Sequence, residues 1–389
     1  MIYNNNSGEK MKKITDLNLE EKKVIVRVDY NVPMKDGTVT DDNRIKESLE
    51  TINYLIKKNC KIILLSHLGK VKTKEDLEKN TLMPVKKVLE KLLNKDIIFS
   101  KELKGKELEE KIKLLKSGEI LLLENTRYMD YPDKLESNCD KELSKYWASL
   151  ADVFIMDAFG SAHRAHASTV GIAKYLPSAA GFLVIKEIDK LKEIKNENKT
   201  LLLGGAKVSD KIGVIKNLIN TANYVIIGGA MCGTFLKIKG YNVGKTFVDN
   251  EKDEYIKDLV NNYEHKIILP VDVMTENGEK SINEINDDET IYDIGTETIK
   301  IFNEYLSSAK LVLTNGTMGL YEDQKYEKGT KYTLKCLHDN DIKTIVCGGD
   351  TASAVKKFGY NFYYISTGGG ASLEYLSGEK LPGLEVLGE

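Results

Sequence analysis

The stretch TLLLGGAKVSDKIGVIKNLINT, residues 200–221, decides the fold. Its opening run is apolar without alternation, as in strands buried on both faces of a parallel sheet. Two glycines then permit a tight turn, and an amphipathic stretch from Asp210 to Thr221 follows as a crossover helix. The same grammar repeats in both directions. Toward the amino end the strand-like runs are VIVRV (24–28), IILLS (62–66), DIIFS (96–100), EILLLE (119–124) and DVFIMD (152–157). Toward the carboxyl end they are YVIIGG (224–229), IILPVDV (267–273), LVLTNG (311–316), TIVCGG (344–349) and FYYIST (362–367). Helical stretches such as Arg44–Asn59, Lys141–Leu150, Glu251–Tyr263 and Gly329–Asn340 lie between them. The class is α/β, with too many strands for one ordinary sheet and enough for two. The divide is expected near Gly181, where AGFLVIKEIDKLKEIKNENK (180–199) reads as a short connection into a polar helix. The final GEKLPGLEVLGE reads as a tail docked on a surface.

Composition narrows the function. The 389 residues are 41% hydrophobic and 30% charged, as in an ordinary globular protein, and the net charge of −2 gives no basic excess for nucleic acid. Five cysteines, odd in number and without CxxC or CxxH spacing, argue against a disulfide framework or a zinc site. No segment approaches the ~18 apolar residues that a membrane span requires. A reduced, cytoplasmic protein without a membrane partner is the expectation.

Of the 57 basic residues only four are arginine, at positions 27, 44, 127 and 164. A planar guanidinium grips carboxylate and phosphate in a way that lysine does not, so these four are anion-contact candidates. Ligands of doubly wound sheets sit at the carboxyl ends of strands. In the first half those ends read RVDYN (27–31), SHLGK (66–70), ENTR (124–127) and DAFGSAHRAHAS (157–168). They bring Asp29, Asn31, His67, Lys70, Arg127, His163, Arg164 and His166 to one rim, joined by Arg44 at a helix start, which suits a small, highly charged anion. In the second half the strand ends are glycine turns: GGAKVSDKIG (204–213), GGAMCG (228–233), NGTMG (315–319), GGDTAS (348–353) and TGGGAS (367–372). Helix starts behind such turns present free N–H groups to phosphate. Lys207 and Lys211, four residues apart, can face one anion, and Asp350 either holds Mg²⁺ or caps its helix. GYNVGKT (240–246) has one residue too few between its glycines for a phosphate loop, and no dinucleotide fingerprint is present. An anion pocket in one half and a phosphate floor in the other suggest phosphoryl transfer between two substrates.

In this order the motifs resemble the phosphoglycerate kinase family from about Lys12 onward, most specifically GGAKVSDKI, AHRAHAST and STGGGASLE. The resemblance implies two Rossmann-like, doubly wound domains joined by a hinge. Residues 1–181 would bind 3-phosphoglycerate, with the tail 372–389 packing back on them, and 182–371 would bind ATP or ADP with Mg²⁺. Matched by motif, Asp29, Asn31, Arg44, His67, Arg127 and Arg164 would contact 3-phosphoglycerate, with Tyr30, Leu68, Gly69 and Lys70 in the same loops. Gly205, Ala206, Lys207, Lys211, Gly228, Gly229, Asn315, Gly348, Gly349, Asp350 and Thr351 would surround the nucleotide, with Glu322 on the ribose and Asp350 on the metal. Arg44, Arg164, Lys207, Lys211 and Gly369 would act on the transferring group, in a monomeric glycolytic enzyme. The chain departs from the family pattern at Lys70, where arginine is usual, and at Met156, Ala230, Thr296, Thr317 and Cys347. Of these, Thr317, Thr296 and Lys70 are the support for an alternative, a homologue that binds nucleotide and anion but is catalytically impaired.

Overall fold

The computed structural model describes residues 11–250 and 253–388. The chain forms two compact units: one holds the residues through Ile188 plus the stretch from Lys380, and the other spans Asp189–Glu379. Each is built on its own six-stranded parallel sheet.

In the first unit the strands are β1 (Lys23–Val28), β2 (Lys61–Leu65), β3 (Ile98–Ser100), β4 (Ile120–Leu123), β5 (Val153–Asp157) and β6 (Ser178–Ala180), in the order β3-β4-β2-β1-β5-β6. All pairs are parallel, with Ile25 of β1 opposite Ile63 on one side and Phe154 on the other. Side chains of β1 alternate between two covered faces; Val24, Val26 and Val28 enter one apolar core with Ile62, Leu64, Ile120 and Leu122. That double burial is why these runs lack a polar alternation. Beyond β1 the chain turns to β2 on one side and later to β5 on the other, opening a crevice at the carboxyl ends of these strands.

The second unit carries β7 (Lys199–Leu203), β8 (Ala222–Ile227), β9 (Ile267–Ile268), β10 (Leu311–Asn315), β11 (Lys343–Cys347) and β12 (Tyr364–Ile365). Their order β9-β8-β7-β10-β11-β12 reverses between β7 and β10, the switch point where doubly wound sheets place ligands. Buried Leu202, Ile226 and Val312 from three adjacent strands pack with Phe302 and Leu306 of the helix Thr296–Ser307.

Several boundaries differ from the sequence expectation. IILPVDV is two strands in two sheets: β9 ends before Pro270, and Asp272–Thr275 joins a separate three-stranded antiparallel sheet. Proline lacks the N–H that would continue the ladder. The short β6 carries only small residues and leaves no hydrophobic signature. The helix expected over Arg44–Asn59 is broken at Ser48, which ends Asn43–Glu47 and starts Leu49–Lys57. Glu251 and Lys252, at the start of another expected helix, lie outside the described residues; Asp253–Tyr263 is helical.

The division between units falls between Ile188 and Asp189, inside the helix Phe182–Asn196, not at Gly181. The helix is shared along its length. Phe182 packs edge-on against Tyr54 of the first unit at 5.3 Å, while Glu193 takes an ion pair from Lys343 of the second at 2.7 Å. The tail that belongs to the first unit begins at Lys380, not residue 372. The Leu387 carbonyl accepts from Lys12 N–H and the Gly383 N–H donates to Ala162, whereas the Leu376 carbonyl is held by Asn217 of the second unit.

Candidate active site

In the first unit the loops after β1, β2, β4 and β5 carry the side chains expected there. Asp29 accepts from Arg44 Nη1 at 2.8 Å and from the Asn31 N–H at 3.1 Å. Burial pushes the Asp29 carboxyl up, but the guanidinium groups, Arg44 foremost and then Arg27, outweigh it and hold it below the ordinary carboxylate range. Asn31 Oδ1 in turn takes the Gly69 N–H at 2.9 Å, tying the first loop to the second. Arg127 is buried, with Nη1 on Asp130 at 2.7 Å and on Ser137, and its Nε–H has no protein partner. Arg164 Nε donates to His163 Nε2 at 3.0 Å. Burial, with Arg27, Arg127 and Arg164 close by, lowers His67 and His166 to about 3, so both are neutral imidazoles at ordinary pH.

Two positions in these loops, Tyr30 and Leu68, spend polar groups on the loops themselves. Tyr30 is fully buried, its hydroxyl on Ser48 Oγ at 3.0 Å and its N–H on Ser66 Oγ at 2.8 Å. Leu68 has both backbone groups on the Asn125 side chain, at 2.7 and 3.1 Å. Lys70 is exposed. The sequence reading missed Asn125, which also holds the Arg127 N–H at 3.0 Å and the Asn80 carbonyl at 2.9 Å. It also left Arg27 without a place. Arg27 is only 1% exposed and lies in the central strand, with Nε on Ser168 Oγ at 2.9 Å and Nη2 on His67 Nδ1 at 3.1 Å. Ser168 passes this contact to the buried Glu136. An arginine written inside VIVRV was the available signal, because a charge in a doubly buried strand has to be matched.

In the second unit two adjoining cavities share Gly205, Ala206 and Asp350. The polar one, about 320 Å³, gathers Lys207, Lys211, Asn315, Gly348, Gly349 and Thr351. The other, about 370 Å³, is walled by Phe247, Ile291, Tyr292, Leu320, Thr317 and Glu322. Backbones meet closely at the switch point: the Gly205 N–H donates to the Thr317 carbonyl at 2.8 Å, and the Gly316 N–H to Thr351 Oγ1 at 2.7 Å. Gly316 has φ +87°, and a Cβ there would stand 2.2 Å from the Gly204 carbonyl oxygen, so only glycine fits. Lys211 is buried; desolvation lowers its pKa against the pull of Asp210 and Asp350. Asp350 is exposed in the first turn of the helix Gly349–Phe358, whose cap position is Gly348, so its carboxylate is not the helix cap. Gly228 and Gly369 line neither cavity; the Gly228 N–H is spent on the Leu203 carbonyl at 2.8 Å, and Gly369 starts the helix Gly370–Leu376. The apolar walls come from connecting loops, where no short motif announces them.

Two carboxylates, Asp210 and Asp350, border the polar cavity, which fits a magnesium ion that arrives with its nucleotide, since Mg²⁺ takes few protein ligands and several phosphate and water oxygens. Among the described residues no cluster of three His, Cys, Asp or Glu side chains could hold a metal by itself. Nor is any helix among them long and apolar enough to cross a membrane.

Fold and cavities together define a class: a nucleotide-binding α/β phosphotransferase built of two Rossmann-like units. The family described as Phosphoglycerate kinase matches residues 14–379. The phosphoglycerate kinases of Fusobacterium nucleatum and Listeria welshimeri are each 49% identical to this chain, covering 97% of it and 99% of their own length. The solved phosphoglycerate kinase structures from Coxiella burnetii (TM-score 0.84, 34% identity) and Pyrococcus horikoshii (TM-score 0.85, 32% identity) each cover 97% of this chain and 99% and 98% of theirs. The chain belongs to the phosphoglycerate kinase family.

Proposed function

We propose that the first unit binds 3-phosphoglycerate, that the second binds ATP or ADP with Mg²⁺, and that the chain moves a phosphoryl group reversibly between the nucleotide and the substrate carboxylate. The observation that carries this reading is the pair of cavities in the second unit. A lysine-lined polar floor runs into an apolar slot through Gly205, Ala206 and Asp350, the shape of a polyphosphate joined to a base. Lys207 and Lys211 face the phosphates, Glu322 the ribose, and Phe247 and Leu320 the base. Asp350 would hold Mg²⁺, which when bound shields the phosphate charges. Arg44, Arg127 and Arg164 would grip the other substrate, and the unpartnered Arg127 Nε–H is a donor waiting for its oxygen.

Transfer of this kind needs positioning and charge neutralisation more than covalent chemistry. The acceptor carboxylate is already ionised at neutral pH, so no general base is required. Lys211, set where little water screens its field, would stabilise the spreading charge on the transferring group. Each site lies within one copy of the chain, so a monomer suffices. The test is the reverse reaction: ATP, Mg²⁺ and 3-phosphoglycerate, with NADH loss followed through a glyceraldehyde-phosphate dehydrogenase couple, with and without EDTA. Magnesium-dependent turnover is expected; its absence in protein that still gains thermal stability from 3-phosphoglycerate would reduce the chain to a binding homologue.

A further inference from the structure

Arg27 is buried near the end of β1, next to the rim that carries Asp29 and His67. Its Nε–H goes to Ser168 Oγ at 2.9 Å, its Nη1 to the Val28 carbonyl, and its Nη2 to His67 Nδ1 at 3.1 Å. The Ser168 hydroxyl and N–H both donate to the Glu136 carboxylate, which is itself fully buried. A guanidinium has five donors and no acceptor, so the atom opposite each N–H must bring a lone pair. His67 Nδ1 therefore carries no hydrogen; a neutral ring then has its only N–H on Nε2, and an imidazolium would set donor against donor. Asp29, Arg27, Arg127 and Arg164 are the charged groups that act on the ring, three of them cations.

We infer that Arg27, anchored through Ser168 to Glu136, is a positioning residue that locks His67 as a neutral imidazole with its hydrogen on Nε2, so that His67 offers the bound anion one directed N–H and no added charge. The donor role rests on reading the arginine-lined pocket as the 3-phosphoglycerate site; the lock rests on geometry alone. Three arginines already supply the positive charge of the pocket, so direction is what a histidine adds there. A fixed tautomer also keeps the contact constant across the pH range in which a free histidine would titrate, near ~6.5.

The test is nitrogen-15 NMR of the histidine rings in the full chain, with His67 assigned by the signals lost in His67→Gln. His67 is expected to show a bare Nδ1 and a protonated Nε2, unchanged from about pH 5.5 to 8. A hydrogen on Nδ1, or titration with a midpoint near ~6.5, overturns the lock. Arg27→Lys keeps the charge but not the fork. It should give mixed tautomers and raise KM for 3-phosphoglycerate roughly 10-fold with kcat within about 3-fold. Should that buried substitution not fold, Ser168→Ala, which removes only the Nε anchor, must shift the tautomer signals in the same direction. His67→Gln, whose amide can stand in for Nε2–H, should retain more 3-phosphoglycerate affinity than His67→Asn, and the reverse order overturns the inference. An Nε2 signal unmoved by saturating 3-phosphoglycerate overturns the donor role together with the substrate reading, whereas a wrong tautomer overturns the lock alone.

Discussion

At the scale of single residues, Arg164 and Asp350 separate affinity from stability, because neither side chain is buried. Arg164 is half-buried beside His163, and its removal opens no large cavity. Arg164→Ala is expected to lower kcat/KM for 3-phosphoglycerate by at least ~100-fold while the melting temperature stays within a few degrees. Activity near wild type would remove Arg164 from the site. Asp350 is exposed and is not the helix cap, so Asp350→Ala should abolish magnesium-dependent turnover at an unchanged melting temperature. A drop of several degrees would instead give it a structural part. Arg27 shows where reading by residue type fell short. The scarcity of arginine picked it out, but only the folded strand brings it to Ser168 and His67, residues 141 and 40 positions away. The motif residues Tyr30 and Leu68 sit in a diagnostic loop and spend their polar groups on building it.

At the scale of elements, both sheets were legible because apolar runs without alternation have one common explanation, burial on two faces. What escaped were elements with little hydrophobic content, such as Ser178–Ala180 and the three-stranded antiparallel sheet, and the course of the helix Phe182–Asn196. The start of that helix has a consequence for pH. Asp157 ends β5 and accepts the Leu183 N–H at 2.9 Å through Oδ1, while its buried Oδ2 has no partner. Burial raises its pKa from 3.8 to about 7, outweighing the hydrogen bonds from Thr51, Val184 and Leu183. The unfolded chain releases this proton near ~4 and the folded chain near 7, so the folded state holds the extra proton between those values. Stability from this group is therefore present at low pH and lost as pH rises through that window. Asp157→Asn, which keeps an acceptor for Leu183, should raise the melting temperature by a few degrees at pH 8 and by less at pH 5. A lower melting temperature at pH 8 would mean that the ionised carboxylate is worth more to the helix start than its burial costs.

At the scale of the molecule, the walls of the apolar cavity in the second unit were the least legible part of either site. Phe247, Tyr292 and Leu320 come from three separate connections, and each looks like an ordinary loop hydrophobe until the fold assembles them. The glycine turns that line the polar cavity, by contrast, were legible because each is a local device. The same modularity yields a prediction for the whole chain. Each site is assembled within one unit, so each ligand should leave its mark there first. Ligand at about 100 times its Kd adds about 2.7 kcal/mol to any local opening that releases it, roughly a 100-fold slowing of amide exchange through that opening. Hydrogen exchange with 3-phosphoglycerate alone should then slow the amides of Asp29–Asn31 and His67–Gly69. MgADP alone should slow those of Gly205–Ile212 and of the first turn of Gly349–Phe358, and EDTA should weaken the second pattern without touching the first. Protection of the Gly205–Ile212 turn by 3-phosphoglycerate alone, with the first unit unchanged, would put the two substrates on the wrong units. Each substrate slowing its own loops would tie the arginine rim and the glycine floor to separate ligands, as transfer between two bound anions requires.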